Sequence, residues 1–87
     1  MNTLVEETAS LETEQMCCPL RYVLAAQMVE GSERFAVAVR NERTGEQAQV
    51  ADLTSDRQRA MDFFLKIVRG LVTPVTLREV AEDFVAQ

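Results

Sequence analysis

Residues 52–87, DLTSDRQRAMDFFLKIVRGLVTPVTLREVAEDFVAQ, constrain the fold most: two amphipathic stretches, each with its own start and stop chemistry. Ser55-Asp56-Arg57-Gln58 fits a capping box, in which Ser55 accepts from the first helical turn and Gln58 reaches back. Met61, Phe64, Leu65, Val68 and Leu71 then fall on one face of a helix. Lys66 and Arg69 suit the negative end of its dipole, and Gly70 reads as its stop. Pro74 stands in the link. Thr76-Leu77-Arg78-Glu79 is a second capping box, with Val75 and Val80 placed as a hydrophobic staple. Leu77, Val80, Ala81, Phe84 and Val85 form the second apolar stripe.

Upstream the period changes to two. Over residues 20–29, Tyr22, Leu24, Ala26 and Met28 share one face, and Arg21, Val23, Ala25, Gln27 and Val29 share the other. Residues 30–33 (EGSE) are a turn signal. Phe35, Val37 and Val39 then alternate with Arg34, Ala36, Ala38 and Arg40. After a second turn (NERTGE), Ala48 and Val50 alternate with Gln47, Gln49 and Ala51. Pairing Val29 with Arg34 and Arg40 with Gln47 puts the large apolar residues on one side. A one-residue slip would scatter them. The expected core face is Tyr22, Leu24, Met28, Phe35, Val37, Val39 and Val50. The fold class predicted is α+β: a three-stranded antiparallel meander with two C-terminal helices packed on one face.

Residues 1–19 lie outside this pattern. Leu4, Thr8, Leu11 and Gln15 fall at weak helical spacing, but the segment reads as an acidic, mobile tail preceding a single domain over 20–87. Net charge is −5, and Glu6, Glu7, Glu12 and Glu14 supply four of those charges. The remainder is almost neutral and lacks a basic cluster, which argues against nucleic acid as a partner.

An 87-residue chain buries only roughly 60–65% of its unfolded surface, so stability is marginal without a staple. The two cysteines, Cys17 and Cys18, are adjacent, and a bond between them would close no useful loop. With no histidine in the chain they also fall short of a four-ligand zinc site. No metal or cofactor is expected, and self-association, as a homodimer, becomes the favoured remedy. No apolar run approaches a membrane span, and the acidic N-terminus does not read as an export signal. Free thiols then point to the cytoplasm.

Little in the chain carries chemistry. The missing histidine removes the commonest general base. Lys66, the only lysine, is placed on a polar helix face. Glu82 and Asp83 stand near a helix C-terminus, where the dipole opposes them, so they are surface charges or partner contacts rather than a catalytic pair. The second sheet face, with Ala25, Gln27, Ala36, Ala38 and Gln49 rimmed by Arg34 and Arg40, reads as flat and suited to association. The candidate interface is this set together with Glu82 and Asp83. A rival reading is a small-ligand pocket between sheet and helices, lined by Met61, Phe63 and Phe64.

Four short motifs carry a resemblance: Asp52-Leu53, Ser55-Asp56-Arg57, Thr73-Pro74 and Glu82-Asp83-Phe84, preceded by the tyrosine-bearing strand Tyr22-Val23-Leu24. In these, residues 20–86 resemble a small Gram-positive bacterial family, a domain of unknown function. The resemblance implies no activity, cofactor or catalytic residue. What the residues support is a non-enzymatic interaction or regulatory module.

Overall fold

The computed structural model describes residues 2–12 and 17–86. The elements run β1 (Asn2–Glu12), β2 (Cys17–Val29), β3 (Ser32–Asn41), β4 (Gln47–Thr54), α1 (Arg57–Arg69) and α2 (Pro74–Val85). The fold is α+β, and all strand pairs are antiparallel.

The sheet has four strands, in the order β1-β2-β3-β4, and not the three the alternation suggested. Residues 2–12 of the expected tail pair along β2, from Asn2 opposite Ala26 to Glu12 opposite Cys17. The physical reason lies in β2. It is long and apolar, and with β3 on one side alone its other edge would be bare. The Thr- and Val-bearing N-terminal segment covers that edge. Val5 and Ala9 pack against the core from it. A register shift between Thr3 and Val5 breaks the two-residue period.

The core lies between one sheet face and the helices: Leu20, Tyr22, Leu24, Phe35, Val37 and Val39 against Phe63, Phe64, Ile67 and Leu77. The face assignment of β2 and β3 is as the alternation predicted, but their register is tighter by two residues. Val29 pairs with Ser32 rather than Arg34. The cause is a two-residue turn: Glu30 (φ 52°) and Gly31 (φ 81°) both take the left-handed region that tight hairpins of this twist require. A shift of two preserves the faces but lengthens the hairpin. Met28 is carried past the helices and is 68% exposed, not core.

The second hairpin has the predicted register, Arg40 opposite Gln47 and Val37 opposite Val50. Its turn is held by Asn41, whose Oδ1 accepts from Arg43 N–H at 2.9 Å and Thr44 N–H at 3.3 Å. Beyond Val50 the strand bulges, so that Phe35 meets Thr54. Asp52 takes φ 56° there. Plain alternation would have put Asp52 beneath the helices. The bulge buries Leu53 and leaves Asp52 exposed, where it pairs with Arg34.

Both helix starts differ from the capping boxes. α1 is capped by Asp56, whose Oδ1 accepts from Gln58 N–H (2.9 Å) and Arg59 N–H (3.2 Å); Ser55 lies one residue outside. α2 begins with Pro74 at its first position and Thr73 as N-cap, so Thr76 sits inside the first turn. The staple is absent, and Val75 is exposed. In α1 the buried stripe is Ala60, Phe63, Phe64 and Ile67, rotated by one residue from the predicted one.

The end of α1 carries strain. Leu71 N–H donates to Val68 O and Val72 N–H to Ile67 O, the double closure that places the left-handed residue just after the cap. That residue is Leu71 (φ 51°), with Gly70 one position early. A leucine there costs about 1–2 kcal/mol against glycine, part of which its half-buried side chain offsets. Leu71→Gly should therefore raise stability by about 0.5–1 kcal/mol in urea denaturation. A fall in the midpoint would show that Leu71 packing outweighs the strain.

Tyr22 ties the sheet to the interhelical link. Its ring is fully buried, and its hydroxyl donates to Val72 O at 3.0 Å. Burial pushes its pKa up from 10.0 to about 12. The neutral form is thus favoured in the folded chain. This stabilisation is complete below pH 10 and is lost as pH rises from there through about 12. Tyr22 is the only tyrosine and there is no tryptophan, so tyrosinate absorbance reports it alone. The native midpoint should lie near 12 and the urea-unfolded midpoint near 10; equal midpoints would refute the burial effect. Tyr22→Phe should cost about 1–2 kcal/mol at neutral pH, because it strands the Val72 carbonyl.

Candidate functional site

Two surfaces have no covering element among the described residues. The first is the sheet face opposite the helices. Cross-strand pairs set its centre: Val23 opposite Ala38 and Ala25 opposite Ala36. Ala25 and Ala36 are 4% and 2% exposed although no layer of the described residues lies over them. Their short side chains sit low between longer neighbours. The face is therefore furrowed rather than flat, with hollows of about 350 Å³ and 60 Å³ that share Val23, Ala38 and Gln49.

Charges rim the furrow. Arg21 and Arg40 are direct cross-strand neighbours, an unfavourable pairing of like charges unless acids intervene. Glu42 does so, its Oε1 3.3 Å from Arg21 Nε and 3.7 Å from Arg40 Nε. Glu6 adds a contact to Arg21 at 3.2 Å. All four side chains are substantially exposed, so these bridges set local neutrality more than stability. At the other end Arg34 is held by Asp52.

The second surface is the free edge of β4 and the cleft beside it, under α2. This cleft has a volume of about 550 Å³. Val50, Leu53, Ala81 and Val85 give it an apolar lining, and Arg78 and Glu82 are its charged side chains on the helix. Among the described residues, the side chains of Arg78 and Glu82 have no ion-pair or hydrogen-bond partner. Two arginines of α1 are engaged: Arg57 with Glu33 and the Phe35 ring, Arg59 with the Phe84 ring and carbonyl.

The residues singled out from sequence are distributed over both surfaces. Ala25, Gln27, Arg34, Ala36, Ala38, Arg40 and Gln49 lie on the open face. Glu82 lines the cleft, while Asp83 is exposed on α2 outside its lining. Phe63 and Phe64 are fully buried in the core, and Met61 is half-buried against it, so the large cleft is not the one they were expected to line. Sequence reasoning missed Val50, Leu53, Ala81 and Val85 as lining, because that role depends on where α2 lands. Cys17 and Cys18 stand at the start of β2, opposite Glu12 and Leu11. Among the described residues no helix is long and apolar enough to cross a membrane.

Comparison with curated proteins finds no match, and comparison with solved structures finds none either. A family model does match, and it includes the N-terminal strand that the motif resemblance left out. Over residues 1–87 the chain belongs to the family of unknown function DUF6514.

Proposed function

We propose that this chain is a small non-enzymatic interaction module of the cytoplasm that works as a homodimer. The observation that carries the reading is the one-sided architecture. Helices cover one face of a four-stranded sheet, and the other face and the β4 edge have no covering element among the described residues. An apolar centre with a charged rim on an uncovered surface has the layout of an interface. The absence of histidine and the exposure of Lys66, Glu82 and Asp83 support a non-catalytic role. Sedimentation equilibrium tests the assembly: a dimer is expected, and a monomer at high micromolar concentration would end the homodimer reading.

One observation favours a second reading. The β4–α2 cleft lies within the size range of small-molecule sites, about 300–1,000 Å³. A ligand held there should raise the melting temperature in a metabolite screen and should lose that effect in Val85→Asp. A screen without a stabilising compound counts against it.

A further inference from the structure

The two edges of the sheet differ. β1 carries Glu6 and Glu7 and a register shift, devices that discourage pairing with another chain. The run Gln47–Ala51 of β4 has no charge, no proline and no glycine. Its alternate backbone N–H and C=O groups point away from β3, towards solvent. The bulge at Asp52 ends this regular run on one side and the hairpin turn ends it on the other.

The sequence of this run is compatible with itself. About a two-fold axis at Gln49, antiparallel pairing sets Gln47 opposite Ala51, Ala48 opposite Val50 and Gln49 opposite Gln49. Paired residues keep the same face. Ala48 and Val50, both half-buried towards the core, would then meet their counterparts and extend the apolar layer. On the other face the two Gln49 amides can hydrogen-bond to each other. α2 flanks the same edge. The two-fold sets the helices side by side, and residues 78 and 82 are one turn apart on one face. In that arrangement Arg78 of each copy would stand by Glu82 of the other. The two unpartnered charges of the cleft are thereby matched, and Glu82 at the unfavourable end of its helix acquires a reason.

We infer that β4 is the dimer seam: its free edge pairs with β4 of a second copy, giving one continuous eight-stranded sheet, with reciprocal Arg78–Glu82 pairs between the two α2 helices. This rests on the homodimer reading above and assigns it to the edge rather than to the furrowed face. The furrowed face is a poor self-partner, because it is rimmed at both ends by arginines already matched by acids of their own chain.

Charge reversal at exposed Arg78 and Glu82, with a substitution on the open sheet face as control, tests this without touching the core. Sedimentation velocity would compare wild type, Glu82→Arg, the double variant Arg78→Glu/Glu82→Arg, and Ala38→Arg, each first checked for native circular dichroism. Glu82→Arg should weaken the dimer about tenfold, the double variant should restore it, and Ala38→Arg should leave it unchanged. Amide exchange at Gln47–Ala51 should slow as protein concentration rises through the dissociation constant. A stable wild-type dimer that ignores Glu82→Arg, that the double variant fails to restore, or that Ala38→Arg disrupts would overturn the edge assignment and leave the homodimer standing. A wild-type monomer would overturn both.

Discussion

Phe63→Ala is expected to abolish the native fold at 37 °C and to cost about 3–5 kcal/mol at 25 °C. Phe63 is fully buried, and its ring lies 4.8 Å from that of Phe84 at an interplanar angle of 49°, a tilted pair that joins α1 to α2. Removing it empties a ring-sized volume where the two helices meet the sheet. Domains have only about 5–15 kcal/mol of stability, and one of this size belongs near the lower end, so a loss of this magnitude is most of the total. Leu65→Ala is the informative control. The sequence periodicity placed Leu65 in the core, but it is 39% exposed, and its truncation should cost about 1 kcal/mol or less. Urea denaturation of the two variants decides between the predicted stripe and the observed one. A larger loss for Leu65→Ala would refute the observed burial of α1.

That contrast shows where sequence reasoning reaches its limit. α1 carries Met61, Phe63, Phe64, Leu65, Ile67 and Val68, so apolar residues occupy more than half its circumference. Two stripes one residue apart fit such a helix equally well, and the choice is made by the sheet beneath it. The caps are ambiguous for a similar reason. Ser55 and Asp56 are both good cap residues, as Thr73 and Thr76 are. Asp56 wins because its carboxylate reaches two amides, and Thr73 because Pro74 is suited to the first helical position.

In the sheet, alternation determines which face a residue takes but not how far two strands slide in steps of two. The first hairpin illustrates this, because its register was set by the left-handed pair Glu30-Gly31 and not by burial. The bulge at Asp52 left no periodic trace at all. The open face was legible because it depends on parity alone. The β4–α2 cleft was not, although the uncharged run Gln47–Ala51 and the misplaced Glu82 were both visible in the chain.

Removal of residues 1–16 should destabilise the domain by on the order of 3 kcal/mol and drive the remainder into large assemblies. The eleven residues of β1 pair along nearly all of β2. Their ladder hydrogen bonds and the entropy of ordering the strand are of similar size and roughly cancel, at about 1 kcal/mol per residue each. The net effect is then set by apolar surface. Val5 and Ala9 leave the core, and Leu20 and Leu24, fully buried in the intact chain, lose the cover on their β1 side. The kinetic consequence is larger than the thermodynamic one. Truncation bares the edge of a 13-residue apolar strand, which has no charged residue but Arg21 to discourage pairing with other chains. Size-exclusion chromatography should show the truncated chain in the void fraction or insoluble. A truncated chain with an unchanged urea midpoint and an unchanged elution volume would show that β1 is dispensable. A substitution that adds charge to the new edge, Ala25→Lys on the open face, should partly restore solubility without restoring stability, which separates the two effects.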